Sequence, residues 1–110
     1  MIMYKYKKLY TLDLSGARDS GEMHEIIRET FDFPDYYGCN WAAFWDCLTN
    51  MLGRPINIEI FGLENLERKI EGAANKILSI LSDLKHFGQN KYVQSVNVII
   101  VSADNTVSLP

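Results

Sequence analysis

Polar and apolar residues alternate over Lys8-Leu-Tyr-Thr-Leu-Asp-Leu14, which predicts a strand with Tyr10, Leu12 and Leu14 on one face. Ser15-Gly16 ends it. The period then lengthens. Met23, Ile26, Ile27 and Phe31 recur at helical spacing behind a cap at Asp19 or Ser20, with Glu22 placed for a capping box from Asp19. Pro34 is expected to stop this helix. A second helix is predicted from about Asn40, its N-cap, to Met51, before Gly53 and Pro55. Ile56-Asn-Ile-Glu-Ile-Phe61 returns to strict alternation. A short helical turn around Leu63 to Arg68 leads into the longest predicted helix, Ile70 to Phe87. Its stripe is Ile70, Ala73, Ala74, Ile77, Ile80, Leu81 and Leu84. Gly88-Gln-Asn should break it, Ser95 to Val101 forms the next strand, and Ala103 to Pro110 reads as a polar, fraying tail.

The order β-α-α-β-α-β favours parallel strands joined by right-handed crossovers. Parallel sheets are usually covered on both faces, yet the alternation at Ile56 to Ile60 leaves one face wet. The expected fold is therefore α/β: a two-layer sandwich of a three-stranded parallel sheet with helices packed on one face. No repeat, linker or low-complexity run divides residues 1–110, so a single domain is expected, with a core over about 8–102.

Composition narrows the function classes. With 47% hydrophobic and 23% charged residues, the chain is of ordinary globular type. A net charge of -3 argues against direct nucleic-acid binding, which favours a basic stripe. No apolar run approaches a membrane span, and Met1-Ile-Met-Tyr-Lys-Tyr-Lys-Lys lacks the apolar core of a secretory signal. Cys39 and Cys47, on the order of 12 Å apart if they flank one helix, are expected to be free thiols in a reducing cytoplasm. His24 and His86 lie on separate helices without a second ligand at metal spacing, so neither metal nor cofactor is expected. No phosphate-cradling glycine loop follows a strand. A hydrolase pairing Asp32 or Asp35 with Asp46 is the weakest of the readings.

The second helix departs from an ordinary surface helix. At roughly 100° per residue, Trp41, Phe44, Trp45, Cys47, Leu48, Met51 and Leu52 share an apolar arc. Ala42, Ala43, Asp46, Thr49 and Asn50 lie opposite. Exposed helix faces usually carry long Lys and Glu side chains; here Asp46 stands alone among short ones. From Glu29 to Gly53 there is no Lys or Arg, while Glu29, Asp32, Asp35 and Asp46 are acidic. Asp46 is read either as a solvated surface acid or as a carboxylate offered to a positive partner, with Trp45 as an aromatic anchor. Tyr36-Tyr37-Gly38 reads as a turn in which Gly38 supplies a positive φ.

Phe33-Pro-Asp-Tyr-Tyr-Gly-x-Asn, followed by Trp45-Asp-Cys-Leu-Thr49, resembles the signature of the barstar family, small cytoplasmic inhibitors of secreted bacterial ribonucleases. The resemblance implies a three-stranded parallel sheet with the second strand in the middle. It implies a basic extracellular-type ribonuclease as protein partner, no enzymatic activity, and a monomer when free. Asp46 would occupy the nuclease's phosphate subsite, with Tyr36, Gly38, Asn40, Trp45 and Thr49 around it and Asp83 on the long helix steering approach. The chain departs from the family at Ala42, where a second helix aspartate is usual, and at Cys39, which replaces a loop glutamate. An insertion near His86 to Tyr92 is also expected. Thinner acidic contacts keep open the alternative of a barstar-fold interaction module with a non-nuclease partner.

Overall fold

The computed structural model describes residues 7–91 and 95–110, and for 88–91 the backbone alone. Residues 1–6, read above as lacking a signal, and the Tyr92 end of the expected insertion lie outside the described residues. The chain order is β1 (Tyr10–Asp13), α1 (Ser20–Phe31), α2 (Trp41–Thr49), β2 (Ile56–Phe61), α3 (Leu63–Lys69), α4 (Ala73–Lys91), β3 (Val96–Val101) and β4 (Thr106–Ser108).

The sheet order is β1-β2-β3-β4. The first three strands are parallel, with Tyr10 opposite Ile58 and Ile58 opposite Val98. The expected parallel trio with β2 in the middle is therefore present. The polar tail does not simply fray: Thr106–Ser108 adds a fourth, antiparallel strand on β3, with Ile100 opposite Val107. The Ser102 amide donates to the Asn105 carbonyl (2.8 Å), closing the turn between them.

One sheet face is buried. Tyr10, Leu12, Ile58, Ile60, Val96 and Val98 are all at most 2% exposed beneath the helices. The other face is open and polar, where the Thr11 hydroxyl donates to Glu59 (2.7 Å) and the Asn97 amide to Asn57 (3.0 Å). Residue alternation along β1 and β2 sets the buried face apart from the wetter one, whereas β3 also exposes Ile99. Gly62, at φ 82°, turns β2 into α3; a Cβ there would overlap the backbone of Ser15.

The helix boundaries shift from those expected for local reasons. The Asp19 side chain caps α1 by accepting from the Glu22 amide, while Glu22 reaches back to the Arg18 amide (2.8 Å), one residue before the cap. Asp32 in the left-handed region ends α1 ahead of Pro34, its amide bonded to the Arg28 and Glu29 carbonyls. α2 stops at Thr49, two residues before Met51, because Met51 and Leu52 bond back to Leu48 and Thr49 in tighter turns. α4 starts at Ala73 and not at Ile70, and it runs through Gly88-Gln-Asn to Lys91. One glycine costs only about 1 kcal/mol in a helix, which the packed stripe of a long helix outweighs.

Candidate functional site

The segment from Phe33 to Asn40 is a short loop pinned at both ends. Phe33 and Tyr37 point into the core, 2% and 6% exposed, with ring centroids 5.3 Å apart. The Tyr37 amide donates to the Pro34 carbonyl (2.9 Å), which turns the chain and leaves the intervening Tyr36 outside, 61% exposed. The left-handed residue of the loop is Cys39 (φ 53°), whereas Gly38 does not have a positive φ. Gly38 matters for another reason: a Cβ there would press on the Asn40 amide (3.2 Å).

Asn40 then caps α2 as expected. Its Oδ1 accepts from the Ala43 amide (2.8 Å) and its Nδ2 donates to the Gly38 carbonyl (3.1 Å). One side chain thereby joins the loop to the first turn of the helix. Phe44 and Leu48 are fully buried, and Trp41, Trp45, Cys47, Met51 and Leu52 pack partly against the core. Ala42, Asp46 and Asn50, spaced one turn apart, are exposed along the opposite line. Ala43 and Thr49 flank this line half-buried, and the Thr49 hydroxyl donates to the Asp46 carbonyl (2.9 Å). Among the described residues, no cation or hydrogen-bond donor meets the Asp46 carboxylate.

Trp45 is half-buried against α4, its ring 5.7 Å from that of Phe87. Asp83 is exposed one turn before Phe87, and so on the same side of α4. Asn40 thus ties the loop to α2, and Trp45 joins α2 to α4 through Phe87. None of the expected contact residues lines the depression of about 520 Å³ at the far end of α2, which Tyr10, Asn50 to Arg54 and Ile56 border. The surface suits a macromolecule better than a small ligand. The thiols of Cys39 and Cys47 are free, and burial raises the Cys47 thiol above its usual range. No cluster able to hold a metal occurs among the described residues.

The segment is less uniformly uncompensated than its lack of Lys and Arg suggests. Arg28, just outside it, lies 3.7 Å from Asp35 and 3.9 Å from Glu29, and pairs with Glu25. Asp35 thus engages a cation on α1, which gives no support to a carboxylate pair with Asp46. His24, not among the expected contact residues, touches the loop from beneath. It is 3% exposed, and its Nδ1 lies 2.7 Å from the Tyr37 hydroxyl. Its spacing from Ile27 and Phe31 places it on the apolar stripe of α1, which was the available signal.

A family model described as Barstar (barnase inhibitor) matches residues 7–99, most of the chain. The protein belongs to the barstar family. A Bacillus subtilis (strain 168) protein described as "Putative ribonuclease inhibitor YrdF" is 31% identical over 61 residues, covering 56% of this chain and 67% of that one. The α/β architecture, with its mostly parallel four-stranded sheet, fits the barstar fold. The family is one of inhibitors and not of enzymes. Its matched span takes in the loop at 34–40, α2 and α4, whereas β4 lies beyond it. No described helix is long and apolar enough to cross a membrane.

Proposed function

We propose that this barstar-family chain inhibits a basic ribonuclease by laying the loop at 34–40 and α2 over the nuclease active site. In this reading the Asp46 carboxylate stands where an RNA phosphate would sit. The observation that carries it is an exposed carboxylate, without a partner among the described residues, on a helix face of short side chains. Taking a carboxylate out of water is expensive unless a cation meets it. Asp46 is therefore suited to a site already lined with arginine or protonated histidine, where charge-assisted bonds are strong. Ala42, Ala43 and Thr49 let that site approach the helix closely. Tyr36 supplies an exposed aromatic anchor, and Asn40 and Gly38 hold the loop that presents it. Asp83 adds negative charge at the margin, where it speeds the approach of a basic enzyme.

Cleavage of RNA by secreted basic ribonucleases, barnase among them, should be suppressed stoichiometrically by the purified protein. Failure to inhibit or bind any of them would favour a non-nuclease partner. That second reading rests on the uncharged Cys39 and Ala42, which leave Asp46 as the sole carboxylate on the α2 face.

A further inference from the structure

His24 is the one buried polar residue among the described residues, and it does not face the proposed partner. It lies beneath the contact surface. Its Nδ1 is 2.7 Å from the Tyr37 hydroxyl, and its ring is 5.1 Å from Trp41 and 5.7 Å from Tyr37. Tyr37 belongs to the contact loop, and Trp41 is the first residue of α2. One imidazole on α1 therefore touches both parts of the surface. Burial pushes the Tyr37 hydroxyl far up, so it stays protonated. At 3% exposure His24 sits as a neutral imidazole, and its Nδ1 shares one hydrogen bond with the Tyr37 hydroxyl, accepting when the ring proton is on Nε2.

We infer that His24 is a positioning residue for the inhibitory surface: its neutral imidazole holds Tyr36 to Asn40 and the first turn of α2 in the binding geometry. On protonation Nδ1 can only donate, so the bond to the Tyr37 hydroxyl must reverse and an imidazolium is left in an apolar setting. Burial accordingly lowers the proton affinity of His24. Few charges are placed to oppose this. The Cys39 and Cys47 thiols bear on Tyr37, and Arg28, one turn along α1, is engaged by Glu25. Glu71 and Lys76 border a depression that Trp41 also lines, and Asp46 is exposed on α2. The partner should bind the unprotonated form, and binding should weaken as pH falls below the ordinary histidine range of about 6.5.

This inference rests on the proposed inhibition, and the two can fail separately. Affinity for barnase is measured from pH 8 to 5.5 with the wild type, His24→Gln and Tyr37→Phe. Glutamine keeps a neutral acceptor but does not titrate, and the nuclease's own histidines contribute equally to all three. The wild type should lose affinity on acidification more steeply than His24→Gln, by up to roughly tenfold per pH unit. Tyr37→Phe should bind more weakly at pH 8 and also lose the excess slope. Equal slopes in all three would overturn the linkage.

The second arm uses the free protein and needs no nuclease. By NMR, the backbone amides of residues 36–43 should titrate with the same midpoint as the His24 imidazole, and Tyr37→Phe should uncouple them. Amides that ignore the His24 titration would overturn the positioning role, whatever the protein binds. Coupled amides with no affinity for any ribonuclease would leave His24 as the loop's positioning residue and remove only the inhibitor reading.

Discussion

The Asn40 side chain closes the loop at 34–40 onto α2 with a donated and an accepted hydrogen bond. Asn40→Ala should lower stability by about 1 kcal/mol, as for other lost caps, which a urea midpoint would show. Nuclease affinity should fall as well, because the loop is no longer tied. Cys39 illustrates what a sequence leaves out. Glycine is the usual left-handed residue, so Gly38 attracts the assignment, but the loop places its positive φ one residue later. Side-chain pairing then sets how stability responds to acid. His24 is held below its usual 6.5 by burial, so the folded state binds fewer protons than the unfolded one. Its contribution is full above 6.5 and lost as pH falls below it. Glu22 is held at about 2 by its bonds to Arg18, so its contribution is lost later, between about 4.5 and 2. Denaturation followed against pH should show two successive losses, with the upper one absent in His24→Gln.

At the scale of elements, alternation and helical period revealed β1, β2, β3 and the helices, because each buries one face in the common core. β4 was not legible. Three exposed residues show no buried face, and only the turn signal Ser-Ala-Asp-Asn before Thr106 hinted at a hairpin. Its supports are long-range: the Leu109 amide donates to Val98 (2.8 Å), and Lys85 Nζ donates to the Leu109 carbonyl (2.9 Å). Removing residues 105–110 should destabilise the protein by about 1–3 kcal/mol, the worth of a few hydrogen bonds, without changing nuclease affinity. α2 should behave the opposite way. Ala43→Arg or Thr49→Arg should leave helix content by circular dichroism intact and block binding, because the proposed approach has no room for a long side chain. Phe44→Ala, by contrast, empties the cluster of Phe31, Phe33 and Trp41 rings and should cost about 3–5 kcal/mol of stability.

For the whole molecule, the sheet backs the helices on one face and leaves the other to solvent, and the proposed inhibitory surface lies at α2. How far that surface was readable depended on scale. Helical spacing separates Asp46 from the apolar arc, since exposure at Ala42, Asp46 and Asn50 follows helical geometry alone. Arg28 and His24 meet the loop, and Phe87 meets Trp45 on α2, from other elements, so no local pattern shows these contacts. Net charge of -3 should make association with a basic nuclease faster at low salt. The central claim is that Asp46 fills a cationic active site. The direct measurement compares the affinity of the wild type and Asp46→Ala for a ribonuclease that the wild type inhibits, alongside their thermal unfolding. Binding should weaken by at least about 2 kcal/mol, on the scale of interface hot spots, with stability changed by no more than about 0.5 kcal/mol. Equal affinity of the two proteins would contradict the account.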